Sequence, residues 1–140
     1  AAGAGGRGVW LVPGVFLLAM AAGALAGASG VAVPVVEPGI ASSVLCVGLL
    51  LAFDARLPLG VGAALVAVFA IFHGFAHGAE MAPGASLAHY GAGFLAATVL
   101  LHAAGVAAGR FRGRRLGTKA WRFVGTFIAG AGVFMLAGLA

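Results

Sequence analysis

The amino-acid sequence predicts an all-α fold in which a bundle of helices crosses a membrane several times. Of the 140 residues, 63% are hydrophobic and 8% are charged, whereas a soluble domain carries about 25% charged residues. The mean hydropathy of +1.15 and the 25 glycines are both typical of closely packed membrane helices. We expect a single transmembrane domain over residues 1–140. Because the chain begins Ala-Ala-Gly and not with Met, we interpret it as an N-terminally truncated fragment.

Charged residues divide the chain into five uncharged stretches, each able to hold a helix that crosses about 30 Å of hydrocarbon. The predicted transmembrane helices are, in order, 10–29, 37–53, 58–79, 84–108 and 121–139. Proline is tolerated at a helix start, because its missing N–H would have no partner there. Four prolines agree with this division, since each is expected in the first turn of a helix or just before it: Pro13, Pro38, Pro58 and Pro83.

The distribution of Lys and Arg predicts the orientation of these helices. All eight fall on one side of the predicted bundle, in the N-terminal segment, the 54–57 turn and the 109–120 loop with its neighbour Arg122. This asymmetry marks the cytoplasmic side, so we expect a multi-pass protein of the inner (plasma) membrane with its basic loops in the cytoplasm. The basic run from Arg110 to Arg122 therefore indicates orientation and contact with lipid headgroups, and we expect no nucleic-acid partner.

Three ionisable side chains, His73, His77 and Glu80, lie near the end of the third predicted helix. Spacings of four and three residues put them within about 60° of arc on one face of that helix. Two imidazoles and a carboxylate suit a divalent transition ion such as Ni, Co, Zn or Cu. Ionisable groups inside a membrane are costly and mark ion pathways by default, so we favour metal or proton handling over helix packing. The predicted orientation places them towards the outside.

The other polar residues are less specific. Glu37 begins the second helix on the same side as Glu80, either as a further oxygen ligand or as an anion at a helix N-terminus. His102 is expected towards the cytoplasmic third of the fourth helix, well separated in depth from the other histidines, as an inner relay or a packed side chain. His89 is expected at the outer interface. We find no zincin or Ser-His-Asp motif, and we expect no enzyme, no catalytic residue and no cofactor-binding residue.

Three segments carry a resemblance to a known family. They are Phe72-His-Gly-Phe-Ala-His-Gly-Ala-Glu80, Val36-Glu-Pro-Gly-Ile-Ala-Ser-Ser-Val44, and Tyr90-Gly-Ala-Gly-Phe94 followed by Ala97-Thr98 and Leu101-His102. In this order and spacing the chain resembles the HupE/UreJ family of hydrogenase and urease accessory membrane proteins. Family members have six membrane helices, and the five predicted here look like the last five. The family's earlier helix bears His-Pro-x-x-Gly-x-Asp-His, and no such motif precedes Arg7.

The resemblance implies uptake of a divalent metal, nickel first and cobalt second, in support of hydrogenase or urease maturation. It also implies that His73, His77 and Glu80 handle the metal, with Glu37 and His102 in a secondary or pathway role. The expected partners are the lipid bilayer, the metal ion and nickel-enzyme maturation proteins, with no tightly bound cofactor. Two alternatives stay open: a membrane metal sensor or assembly factor that does not transport, and a purely structural membrane subunit.

Overall fold

The computed structural model describes residues 5–111 and 118–139 of the chain. Within these ranges there are five helices and no strand, which confirms the all-α prediction. The helices are α1 (Gly5–Ala28), α2 (Val36–Ala52), α3 (Leu59–Ala79), α4 (Leu87–Phe111) and α5 (Thr118–Ala137). Four of them are long and apolar enough to cross a membrane, while α2 has 17 residues and is shorter. Most of the predicted basic loop, residues 112–117, lies outside the described residues.

The first helix begins earlier than predicted. It starts at Gly5 rather than at residue 10, so Pro13 lies inside α1 and the prediction of a first-turn proline was wrong there. The physical reason is that Arg7 ends an apolar stretch without ending a helix. Inside a helix, Pro13 cannot donate a backbone hydrogen bond to the carbonyl of Val9. Membrane helices tolerate such a gap where neighbouring groups or small backbone adjustments satisfy the freed carbonyl.

The fourth helix begins at Leu87 rather than at residue 84. Gly84 has a φ of +80°, a left-handed conformation that a helix cannot include. The side-chain oxygen of Ser86 then accepts a hydrogen bond from the backbone N–H of His89 at 3.4 Å. A serine in this relation to the third residue of a helix is an N-cap, which explains where α4 starts. His89 is exposed in this first turn.

A tight turn after α2 reverses the chain into α3. Asp54 has a φ of +51°, a left-handed conformation that aspartate tolerates better than most side chains. The N–H of Ala55 donates to the carbonyl of Leu50 at 2.9 Å, and the N–H of Asp54 donates to Leu51 at 3.3 Å. These two bonds form a Schellman motif, which satisfies the last carbonyls of α2. The chain then enters α3 after Pro58 and runs antiparallel to α2.

The helices pack in the order α4–α1–α3–α2–α5, and the two most extensive contacts are α1 with α3 and α2 with α5. Glycines permit the close approach in both pairs, because a methyl group on any of them would collide with the backbone of the facing helix. In the parallel pair α1 and α3 they are Gly23 and Gly27 against Ile71 and Phe75, and Gly74 and Gly78 against Met20 and Ala24. In the antiparallel pair α2 and α5 they are Gly48, Gly125 and Gly132.

Large apolar side chains face outwards from these helices. Leu18, Phe127 and Phe134 are each at least three-quarters exposed, while Met20 is the largest side chain that is wholly buried. Exposure of these side chains to water would be unfavourable in free energy, whereas lipid tails are as apolar as the side chains. We call the end where α2 begins and α3 ends the histidine end. The basic end is the opposite one, formed by residues 53–58 and the start of α5.

Candidate metal site

The last two turns of α3 bring two histidines together at the histidine end. His73 and His77 are four residues apart, and their ring centroids lie 5.7 Å from each other at an interplanar angle of 55°. Both side chains are partly buried. The spacing of one helical turn therefore produces the imidazole pair that the sequence predicts, on one face of one helix.

Glu80 lies at the C-cap of α3, where its side chain is exposed. Its backbone N–H donates to the carbonyl of Ala76 at 2.9 Å, and Pro83 follows shortly after. A carboxylate at this end of a helix is disfavoured by the macrodipole, by about 0.3–1 kcal/mol, and a nearby cation would offset that cost. Among the described residues, no three His, Cys, Asp or Glu side chains come close enough to hold one metal ion. Joint ligation by both histidines and Glu80 stays a prediction.

Glu37 lies at the same end of the bundle, in the first turn of α2, and is exposed. The start of α2 packs against α3 one residue before His73, since a methyl group on Gly39 would come within 2.7 Å of the Phe72 ring. An anion in the first turn of a helix is favoured by the macrodipole. The position of Glu37 is therefore accounted for without a metal, unlike that of Glu80.

One face of α4 completes the surroundings of His77. The hydroxyl of Tyr90 donates to the backbone carbonyl of His77 at 3.1 Å. The ring of Phe94 lies 4.5 Å from the His77 ring, centroid to centroid, at 53°, and Tyr90 stacks on Phe94 at 6.3 Å and 9°. Sequence reasoning assigned neither aromatic residue a role. Their four-residue spacing, which continues through Thr98 to His102, is the signal that predicts a common face.

His102 is held by its own helix. Its Nδ1 lies 2.9 Å from the carbonyl oxygen of Thr98, which can only accept, so Nδ1 carries the hydrogen. In the neutral imidazole, Nε2 is then the unprotonated nitrogen, whose lone pair can bind a metal ion or a proton. The ring also lies 4.7 Å from that of Phe16 on α1, centroid to centroid, at 48°.

His102 is closer in depth to the α3 pair than the sequence predicts. The Phe94 and His77 rings are in contact and so lie at similar depth. By the helical repeat, His102 is two turns beyond Phe94, and His73 is one turn beyond His77 in the same direction. The His102 ring therefore lies only about 6 Å deeper than the His73 ring. The prediction of a wide separation was wrong, because side chains lean towards the N-terminus of their own helix. In antiparallel α3 and α4 that lean brings the rings together.

The register of α1 gives the same depth independently. The backbone of Met20 abuts Gly74, which follows His73, and Phe16 lies one turn deeper than Met20 on the same helix. Because Phe16 contacts the His102 ring, this histidine again lies about one turn below His73. We call His77, His73 and His102, in this order of depth between α1, α3 and α4, the histidine seam.

Five apolar helices, three of which flank the histidine seam, define a class: a multi-pass α-helical membrane protein with ionisable groups inside the bundle. The family model described as "HupE / UreJ protein" matches residues 1–135, and the chain belongs to that family. The chain is 42% identical over 134 residues to Protein HupE of Rhizobium leguminosarum bv. viciae. The aligned segment covers 96% of this chain and 70% of that relative. No solved structure matches the chain. The resemblance seen in the motifs is confirmed.

Proposed function

We propose that this protein takes up a divalent transition-metal ion, nickel in the first place and cobalt in the second, in support of hydrogenase or urease maturation. The observation that carries the proposal is the histidine seam, in which three imidazoles lie at successive depths in an apolar bundle. Intramembrane ionisable groups at successive depths are typical of ion pathways. Membership of the HupE/UreJ family supports the same role.

Capture begins at the histidine end, where the exposed carboxylates of Glu80 and Glu37 attract a hydrated cation. The C-terminal dipole of α3 adds to this attraction, since the negative end of a helix favours cations. His77 and His73, one turn apart, then chelate the partly dehydrated ion. Imidazole is an intermediate ligand that suits nickel, cobalt, copper and zinc, so this pair selects transition ions over Mg²⁺ and Ca²⁺.

Inward movement uses His102 as the next ligand. Its Nε2 is unprotonated when the imidazole is neutral, because Nδ1–H is bound to the Thr98 carbonyl. Its ring lies about one helical turn deeper than that of His73, so the ion exchanges ligands over a short distance. With the basic end in the cytoplasm, as the Lys and Arg distribution favours, this direction leads from the outside inwards.

Nickel-isotope uptake by cells that express the complete coding sequence tests the proposal. We expect His77→Ala to abolish uptake above background. His89→Ala is the matched control, because this exposed histidine lies at the same end of the bundle, and we expect it to retain uptake. Equal uptake by the unaltered protein and His77→Ala would overturn the proposal. Nickel binding by purified protein without flux into vesicles would favour the sensor alternative.

A further inference from the structure

We propose that Tyr90 and Phe94 are positioning residues that hold the His77 imidazole ready for the metal, an inference that rests on the proposed function. Neither side chain is itself a nickel ligand in this proposal. Tyr90 fixes the backbone of the turn that carries His77, and Phe94 fixes the orientation of its ring. Both act from α4 on a histidine of α3.

The carbonyls at the end of α3 show what the Tyr90 hydroxyl does. The last four carbonyls of a helix have no partner within it. At this terminus the N–H of Glu80 donates to Ala76, and the N–H of Met81 donates to Gly78 at 3.4 Å. The His77 carbonyl receives the Tyr90 hydroxyl instead, at 3.1 Å. Tyr90 thus caps α3 from a neighbouring helix, at the residue whose side chain carries the proposed ligand.

The ring of His77 packs against an aromatic side chain of α4. Phe94 packs against it with a centroid distance of 4.5 Å and a tilt of 53°, a separation typical of aromatic pairs. Tyr90 stacks almost parallel on Phe94, which holds Phe94 in turn. Metal-binding histidines are normally oriented by a hydrogen bond from the other ring nitrogen. For His77 we assign the orienting part to the packed Phe94 ring. A metal-bound imidazole carries more positive charge, which the face of a phenyl ring stabilises.

The backbones of α3 and α4 stay apart. Within the described residues, no Cα of α3 comes within 8 Å of a Cα of α4. Close backbone packing, which glycines provide between α1 and α3, therefore does not hold His77 against α4. The long aromatic side chains of Tyr90 and Phe94 bridge this gap. Their loss is expected to loosen the end of α3 without disturbing the glycine contacts.

The test compares metal binding by the purified full chain with that of two variants, Tyr90→Phe and Phe94→Leu. Tyr90→Phe removes only the hydroxyl, and Phe94→Leu removes the ring while keeping an apolar side chain. We expect each to weaken Ni²⁺ binding about tenfold, since loss of an outer-shell partner typically costs 10–100-fold in metal affinity. Bound Co²⁺ should show shifted visible absorption bands, because these bands report ligand geometry. In cells, the KM for uptake should rise more than the maximal rate falls.

Two control variants separate positioning from general stability. Thr126→Val removes a hydroxyl that donates to a helix carbonyl at 3.0 Å on α5, and Phe123→Leu removes an exposed ring on the same helix. Both should leave Ni²⁺ affinity and the Co²⁺ spectrum unchanged. If Tyr90→Phe and Phe94→Leu lower only the melting temperature, with affinity and spectrum unchanged, the positioning role is wrong. Absence of any metal binding by the unaltered protein would overturn the proposed function itself, and this inference with it.

Discussion

At the scale of single residues, the hydroxyl groups and the imidazoles of the bundle behave differently. Ser43, Thr98 and Thr126 each donate to a carbonyl three or four residues earlier in their own helix. Such local bonds satisfy a hydroxyl where no water is available. His102 uses Nδ1 in the same way, on the carbonyl of Thr98. In the proposed function, the imidazoles are therefore the side chains that ligate the ion.

Metal capture should weaken as the pH falls from neutral into the acidic range. Only the neutral imidazole can ligate, so protons compete with the ion for His73 and His77. Calorimetric titration of the purified protein with Ni²⁺, between about pH 8 and about pH 5, measures the affinity. Circular dichroism over the same range controls for unfolding. Affinity that does not change with pH in a folded protein would contradict ligation by these histidines.

At the scale of helices, glycine decides which elements approach closely. The carbonyls of Met20 and Ala24 on α1 occupy the space that side chains at Gly74 and Gly78 would need on α3. Gly48 and Gly125 play the same part between α2 and α5. Lipid provides no hydrophobic drive for helix association, so dispersion between closely packed backbones contributes to it instead. The α1–α3 contact also places Gly74, the neighbour of His73, against the backbone of Met20.

Gly74→Ala should destabilise the bundle, because the added methyl group would collide with the Met20 carbonyl. Overpacking of this kind costs about 1–3 kcal/mol. Gly62→Ala in the same helix is the matched control, since its methyl group would lie 3.9 Å from Leu57, an ordinary contact. The control should stay within about 1 kcal/mol of the unaltered protein, on the stabilising side, because alanine favours helix. Thermal unfolding in detergent distinguishes the two, and equal melting temperatures would contradict the packing.

At the scale of the whole molecule, helices that follow each other in sequence are not all neighbours in space. The helix α4 packs on α1, while α5 packs on α2 at the other end of the row. This order sets α1 between α4 and α3, and it is the reason that His102 meets Phe16. The seam therefore lies between three helices, two of which, α1 and α4, are far apart in sequence.

Accessibility of introduced cysteines should reveal the orientation of the whole bundle. Cys46 is the single cysteine of the chain, so Cys46→Ala provides a background for Ala82→Cys at the histidine end and Ala55→Cys at the basic end. Both positions are exposed. A membrane-impermeant maleimide should label Ala82→Cys in intact cells, and Ala55→Cys only after permeabilisation, because basic loops stay in the cytoplasm. The opposite pattern would reverse the proposed direction of transport.

The sequence by itself determined the number of helices, their bounds to within a few residues, and the pair of histidines on α3. These features follow from composition and from the helical repeat, which act over short stretches of chain. The tertiary structure alone decided the order of the helices, the contacts of Tyr90 and Phe94 with His77, and the depth of His102. Each depends on the register between helices and on the lean of side chains in antiparallel neighbours. Backbone contacts at glycines such as Gly74 set that register. Counting residues from a helix end cannot provide that register.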